Sequence, residues 1–170
     1  MERKSPSSIG ILTPPTWAIG GYDRESPERR ILVERIYQTY KDLSVYNRMV
    51  FNLPLLNGLP VELADLCLQN DIDYNTYNVF NRLGDFYSKM PDVIEDLIRI
   101  NKQAKANFWP NGQNARYGPG KIIKCNKAII NDSEMIVIAN HPNVYQYWLP
   151  FLKNKYHLYI DTEKLTSCRP

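Results

Sequence analysis

Histidine, cysteine and long apolar runs are scarce in this sequence, and each shortage excludes a class of protein. Two histidines and three isolated cysteines (Cys67, Cys125 and Cys168) give no spacing that would hold a metal ion. An odd number of scattered cysteines indicates reduced thiols and a cytoplasmic protein. No apolar run approaches the roughly 18–20 residues that cross a bilayer, and residues 1–5 lack the apolar stretch of a signal peptide. We therefore expect neither a metal site nor a membrane partner.

Four common site motifs are also missing. The chain contains no G-x-G-x-x-G, G-x-x-x-x-G-K-[ST], G-x-S-x-G or H-E-x-x-H sequence. Dinucleotide-binding, P-loop, serine-hydrolase and zinc-peptidase functions therefore have little support. No cofactor is predicted.

The composition that remains is typical of one globular domain. The 170 residues are 44% hydrophobic and 23% charged, and 21 basic against 18 acidic residues leave a net charge of +3. This excess is too small to indicate a nucleic-acid partner. Plentiful Asn, Ile and Tyr, whose codons are A/T-rich, favour an A/T-rich genome such as many phages carry. We predict one domain over residues 1–170, with flexible tails at residues 1–7 and 161–170.

Short apolar runs alternate with longer helical patterns along the chain. This alternation indicates right-handed βαβ units, so we predict an α/β fold, a three-layer Rossmann-like domain with a mainly parallel central sheet of about five strands. The polar segment Lys105–Pro119 is predicted to be an exposed loop. The predicted strands are Ser8–Thr13, Arg48–Leu53, part of Ile72–Phe80, Glu134–Ala139 and Tyr156–Ile160, and the predicted helices are Ser26–Asp42, Pro60–Leu68, Asp92–Ala104, Pro119–Ile130 and Val144–Asn154.

The loop after the first strand is the first candidate site, since parallel sheets bind ligands at the carboxyl ends of their strands. Gly20 and Gly21 permit positive φ and close approach of a ligand, and Trp17 and Tyr22 offer rings that could stack on a base. A tight turn with both aromatics packed on the sheet edge explains the same residues. The candidate ligand-binding residues of this loop are Thr13, Trp17, Gly20, Gly21, Tyr22 and Asp23.

Two further loops carry candidate residues. Asn57 and Gly58 precede a predicted helix whose N-terminus is receptive to phosphate. Glu62, in the first turn of that helix, is the candidate catalytic carboxylate, although it could simply complement the helix dipole. Asn140 and His141 follow the longest apolar strand, where His141 could bind phosphate or only shape the turn.

Four segments resemble a known family. Thr13–Asp23 keeps the Thr and the Gly-Gly-Tyr of T-G-H-R-P-x-x-L-G-G-Y, and Gly58–Asp65 is similar to a glycine turn that leads into a G-V-[DE]-x-x-A-A-E-like helix. Tyr117–Lys121 and Cys125–Ala139 follow the order of Y-x-P-x-K and R-N-x-x-[ML]-[VI]-[DN]-x-[SC]-D. The chain resembles the SLOG superfamily of Rossmann-like nucleotide-binding domains and, within it, the YpsA-like branch common in phages and Gram-positive bacteria.

The chain departs from the family pattern where a phosphate would be held. Pro15 and Thr16 stand in place of His-Arg, and Pro60 takes the place of the acid that follows Gly-Val. Cys125 replaces the Arg before Asn126, and no glycine follows the longest apolar strand. These changes remove cations and a phosphate loop that charge-assisted contacts would need. Asn126 itself is retained, and the resemblance implies that it binds the ligand.

Three functions are consistent with these observations. The first is non-catalytic binding of a nucleotide or nucleotide-derived small molecule, as in a phage-encoded sensor or sequestering protein. The second is hydrolysis or transfer at an N-glycosidic bond, with Glu62, Asp23 or Glu134 as the carboxylate. The third is a scaffold whose pocket has decayed and whose partner contacts include Phe108 and Trp109. The resemblance also implies a homo-oligomer formed through surface helices.

Overall fold

A computed structural model describes residues 6–21, 23–81, 83, 87, 89–116 and 118–166. In this part of the chain, six strands form one parallel sheet in the order β4-β3-β2-β1-β5-β6. No helix among the described residues is long and apolar enough to span a bilayer. Tyr22, a candidate site residue, lies outside the described residues. The strands are β1 (Ser8–Leu12), β2 (Val50–Pro54), β3 (Tyr74–Tyr77), β4 (Ala106–Phe108), β5 (Met135–Asn140) and β6 (Tyr156–Asp161).

Helices cover both faces of this sheet, which confirms the predicted three-layer α/β fold. On one face a core that includes Phe51 and Val137 packs under α1, α2, α3 and α6. On the other face Ile136 and Ile138 pack under α4 and α5. The helices are α1 (Pro27–Leu43), α2 (Leu59–Gln69), α3 (Pro91–Gln103), α4 (Pro119–Asp132), α5 (Pro142–Leu152) and α6 (Glu163–Thr166), and a short 3-10 helix spans Thr16–Ile19.

The sixth strand corrects the prediction of about five strands. β4 lies at the start of Lys105–Pro119, the segment predicted to be an exposed loop. The Lys105 N–H donates to the Tyr74 carbonyl at 2.8 Å, and the Asn78 N–H donates to the Phe108 carbonyl at 2.8 Å. Pairing with β3 therefore makes a strand of three residues whose own sequence has no strand pattern.

The end of the described chain also differs from the prediction of a tail at residues 161–170. Asp161 completes β6, and α6 follows directly. The side chain of Leu165 is only 4% exposed and belongs to the core beside α1. Residues 161–166 are therefore part of the folded structure.

The start of α1 ties the first loop to the helix that follows it. Ser26 is the N-cap predicted from Ser26-Pro27-Glu28, and its Oγ accepts a hydrogen bond from the Arg29 N–H at 3.3 Å. The same hydroxyl donates to the carbonyl of Ile19 at 2.9 Å. One buried side chain thus satisfies a helix N–H and fixes the end of the 3-10 helix.

Replacing this cap should measurably destabilise the protein. We expect Ser26→Ala to lower the free energy of unfolding by about 1 kcal/mol, since the helix loses its cap and the Ile19 carbonyl loses its donor. Urea denaturation followed by circular dichroism measures the change. Thr39→Ala, which removes a partly exposed hydroxyl from the second half of α1, is the control and should not destabilise. A Ser26→Ala protein as stable as the wild type would contradict the dual role of this hydroxyl.

Candidate functional site

The candidate site lies where the direction of strand order reverses. After β1 the chain adds β2, β3 and β4 in turn on one side of β1. It then returns to the other side, where β5 pairs with β1 and β6 pairs with β5. The connections therefore leave β1 and β5 in opposite directions and open a crevice at their carboxyl ends, the usual ligand position in such folds. A cavity of about 690 Å³, here called the switch-point cavity, occupies this crevice.

Neutral polar side chains from separate parts of the chain converge on the switch-point cavity. None of the described residues that line it is Asp, Glu, Lys, Arg or His. The cavity therefore offers hydrogen bonds without a formal charge. Its polar lining consists of Thr13 and Thr16 after β1, Asn57 after β2, Asn126 on α4, and Asn140 and Asn143 around the start of α5.

Aromatic side chains form much of the remaining wall. Tyr147 and Trp148 on α5 meet edge to face, with ring centroids 5.1 Å apart. The Trp148 ring is buried, whereas the Tyr147 ring is half exposed and borders solvent. Tyr87 lies elsewhere on the wall, and its hydroxyl accepts a hydrogen bond from the Asn57 N–H at 3.1 Å. These rings, with Ile122 on α4, give the cavity an apolar interior.

Four residues predicted from the sequence line this cavity together: Thr13, Asn57, Asn126 and Asn140. Three of them follow or end a strand, as the rule on strand ends requires. The aromatic wall was not predicted, because the positions of α5 were interpreted only as part of a helix. The spacing of Val144, Tyr147 and Trp148, which places them on one helical face next to the Asn140 loop, was the available signal.

The glycine loop after β1 does not line the switch-point cavity beyond Thr16. Trp17 is 79% exposed, and the Asp23 carboxylate accepts a hydrogen bond from the Glu25 N–H in its own turn at 2.9 Å. Gly20 has a φ of 90°, and a Cβ there would lie 2.2 Å from the Ser26 Oγ. The Gly21 carbonyl accepts a hydrogen bond from Arg29. These contacts favour the alternative interpretation of the loop as a tight turn. The packing of Trp17 on the sheet edge, which that interpretation included, is wrong, because the ring is exposed.

The candidate catalytic residue Glu62 is held in a buried ion pair. Arg29 Nη1 donates to Glu62 Oε1 at 3.0 Å, and the two side chains are 3% and 14% exposed. Burial raises the pKa of Glu62 to about 7 and outweighs the opposing effect of the Arg29 charge. Glu62 does not line the switch-point cavity. Its raised pKa therefore results from burial beside Arg29 and does not mark a group that faces this cavity.

A second, smaller cavity adjoins the first. It has a volume of about 380 Å³, and Asn57 lines both cavities. Its wall includes the turn at Gly58, the N-cap of α2. The charged residues of the wall are Arg24, Arg29, Lys89, Asp92 and Asp96. Gly58 has a φ of 99°, and a Cβ there would lie 2.8 Å from the Thr16 Cγ2. Glycine is therefore required at the point where the two cavities approach each other.

His141 has a structural role at the start of α5. Its Nδ1 accepts a hydrogen bond from the Asn143 N–H at 3.0 Å, and its Nε2 lies 2.8 Å from the Glu163 Oε1. The ring thus caps α5 and connects it to α6. His141 does not line either cavity, which favours the interpretation that it shapes the turn.

No protein-family model matches the chain, and no curated protein is significantly similar to it. The resemblance to SLOG domains therefore stays a prediction. Among the described residues, no group of three or more His, Cys, Asp or Glu side chains could hold a metal ion.

Proposed function

We propose that this protein binds a nucleotide or nucleotide-derived small molecule without converting it, and that the nucleoside part lies in the switch-point cavity. One observation carries the proposal. Uncharged carboxamide and aromatic side chains converge at the carboxyl ends of β1 and β5 around about 690 Å³. That volume falls within the range of roughly 300–1,000 Å³ that is typical of small-molecule sites.

The lining suits a planar ring whose edge carries donors and acceptors. Stacking of a base on an aromatic side chain contributes about 1–3 kcal/mol, and Tyr147 and Trp148 offer such rings. Each Asn carboxamide supplies both N–H donors and a carbonyl acceptor, so it can pair with the edge of a base. We propose a divergent SLOG-like domain, supported by the fact that Thr13 and Asn126 come from segments that resemble that family and line one cavity.

Turnover at an N-glycosidic bond has less support. This chemistry needs a carboxylate beside the ribose, but the three candidates lie elsewhere. Glu62 is paired with Arg29, and Asp23 is in the exposed turn before α1. Glu134 precedes β5 and so lies at the amino ends of the strands, opposite the cavity, where its Oε2 accepts a hydrogen bond from the Ser7 N–H at 2.8 Å. We therefore favour binding over catalysis.

A scaffold role also has less support than binding. Phe108, one of its proposed anchors, packs against Tyr77 with ring centroids 5.1 Å apart and is 41% exposed. We place the binding function in the reducing cytoplasm. The buried free thiols of Cys67 and Cys125, which belong to cores on opposite faces of the sheet, support that compartment. Holding a ligand without converting it fits a sensor or sequestering protein, such as a phage would encode.

Calorimetric titration with the four common ribonucleosides and their 5′-monophosphates tests the proposal. Asn126→Ala should weaken binding about tenfold, because a carboxamide inside the cavity is lost. The matched control is Asn131→Ala, an exposed position on the same helix, which should bind like the wild type. Wild-type protein that binds none of these compounds at millimolar concentration, or an Asn126→Ala protein with unchanged affinity, would contradict this site assignment.

A further inference from the structure

We propose that the second cavity is a phosphoryl subsite, so that a bound nucleotide spans both cavities. The ring system occupies the switch-point cavity, and the phosphoryl group enters the space between Gly58, Arg29 and Lys89. This inference rests on the proposed function and adds a position for the phosphoryl group, which the proposed function does not assign. The preferred ligand is then a nucleoside phosphate and not a free nucleoside.

The two cavities share a wall at Asn57. The backbone of this residue is fixed, since its N–H donates to the Tyr87 hydroxyl at 3.1 Å. Gly58 follows immediately and begins the wall of the second cavity. A ligand that spans the uncharged cavity and the one that contains cations would pass beside Asn57.

Arg29 carries an unused donor in this second cavity. Its side chain is 3% exposed, and its two terminal nitrogens donate to Glu62 and to the Gly21 carbonyl. Its Nε has no hydrogen-bond partner among the described residues. A buried N–H of a cation without an acceptor is unfavourable. An anionic oxygen bound at Arg29 would supply that acceptor after a small shift of the side chain that exposes Nε.

The start of α2 faces the same space. The N–H groups of Val61 and Glu62 both donate to the Gly58 carbonyl, which leaves the N–H groups of Gly58 and Leu59 ahead of the first helical hydrogen bonds. The positive end of the helix dipole adds to their attraction for an anion. The backbone of Gly58 lines this cavity, and Thr16 fills the side of the residue where a Cβ would lie.

Three cations and the carboxylates of Asp92 and Asp96 line this cavity. Arg24 pairs with Asp96, and Arg29 pairs with Glu62. Lys89 is exposed and takes part in no ion pair among the described residues. It is therefore the side chain that can close over a phosphoryl group without giving up another partner.

Glu62 determines how much of the Arg29 charge is available. The charged groups around Glu62 are Arg29 and Arg24, which lower its pKa, and Glu25, which raises it, but burial outweighs them and brings the pKa to about 7. A large fraction of Glu62 is therefore uncharged near neutral pH. A phosphoryl group beside Arg29 would favour the protonated carboxyl further, because two anions would otherwise compete for one guanidinium.

The test compares the dissociation constant of each ribonucleoside with that of its 5′-monophosphate, by calorimetry at pH 8 and constant ionic strength. The wild type should bind the monophosphate at least about tenfold more tightly. Lys89→Ala should reduce this preference about fivefold, as expected for one partly exposed charge contact. Glu62→Gln should increase it several-fold, because Arg29 loses its countercharge. All proteins should bind the nucleoside equally well.

Lys124→Ala is the charge-matched control, since Lys124 is exposed on α4 and lines neither cavity. If Lys124→Ala weakens monophosphate binding as much as Lys89→Ala does, net charge explains the effect and the subsite is overturned. Equal affinity of wild type for nucleoside and monophosphate overturns the subsite but leaves the proposed function intact. If neither compound binds, the proposed function fails and the subsite fails with it.

Discussion

Gly10→Ala should lower the free energy of unfolding by about 3 kcal/mol, the upper part of the range for overpacking a core. Gly10 is in the middle of β1, between Asn52 of β2 and Ile136 of β5. A Cβ at this position would lie 2.4 Å from the Ser133 Oγ and 2.7 Å from the Ile129 Cγ2. Both distances are far inside van der Waals contact.

Neither neighbour can move away at low cost. The Ser133 Oγ accepts a hydrogen bond from the buried Asn52 carboxamide at 2.9 Å, and Ile129 is fully buried. Shifting Ser133 would leave the Asn52 amide without this acceptor, which adds to the steric cost. Helix α4 approaches β1 closely because position 10 has no side chain.

Urea denaturation at pH 7, followed by circular dichroism, measures this effect. Gly120→Ala is the matched control, because a Cβ there meets nothing within 4 Å and the residue is in the first turn of α4. The control should be at least as stable as the wild type, since alanine favours the helix. A Gly10→Ala protein within about 0.5 kcal/mol of the wild type would show that α4 and β1 are packed less closely than described.

Glu62→Gln should remove a pH dependence of stability that the wild type shows between pH 5 and pH 8. The pKa of Glu62 is about 7 in the folded protein, against an ordinary value of 4.5. Between these values the folded protein binds the proton more tightly than the unfolded chain does, so stability falls as the pH rises. The wild type should lose about 2 kcal/mol over this interval relative to Glu62→Gln.

The measurement is the difference in unfolding free energy between the two proteins at pH 5, 6, 7 and 8. Because the remaining titratable groups are common to both, the difference isolates Glu62. Glu25→Gln is the control, since that carboxylate is exposed and its ion pair with Arg30 is at the surface; its difference from the wild type should vary little with pH. Parallel pH profiles for the wild type and Glu62→Gln would mean that Arg29 keeps Glu62 ionised.

Much of the fold could be predicted because its strands and helices carry local patterns. β5 is buried along Met135–Ala139, and an unbroken apolar run in the sequence is the typical pattern of such a strand. α1 begins at a Ser-Pro-Glu sequence, which is a typical N-cap and first turn of a helix. β4 could not be predicted in the same way. Ala106–Phe108 becomes a strand only through hydrogen bonds to β3, about 30 residues earlier in the chain.

The site was predictable to the extent that it depends on strand ends. Asn57 and Asn140 follow from that rule alone. The ion pair that holds the candidate catalytic residue Glu62 could not be predicted from the sequence. Its partner Arg29 is 33 residues away, and the pair forms only when α1 packs beside α2. Trp148 faces both the core and the cavity, and a helical pattern does not separate those two roles.

The polarity of the Asn140 carboxamide restricts which ligand edge it can accept. Its Oδ1 is committed to the His141 N–H at 2.9 Å, so its NH₂ group is the part left to offer. In the described structure no hydrogen bond fixes the carboxamides of Asn126 and Asn143, and each can turn over to present either a carbonyl or an NH₂ group. A ring therefore needs an acceptor where it meets Asn140, whereas the other two positions tolerate either pattern. Under the proposed function, the NH₂ group of Asn140 is the fixed donor among these three carboxamides, and several bases that share an acceptor at that edge should compete for the same cavity.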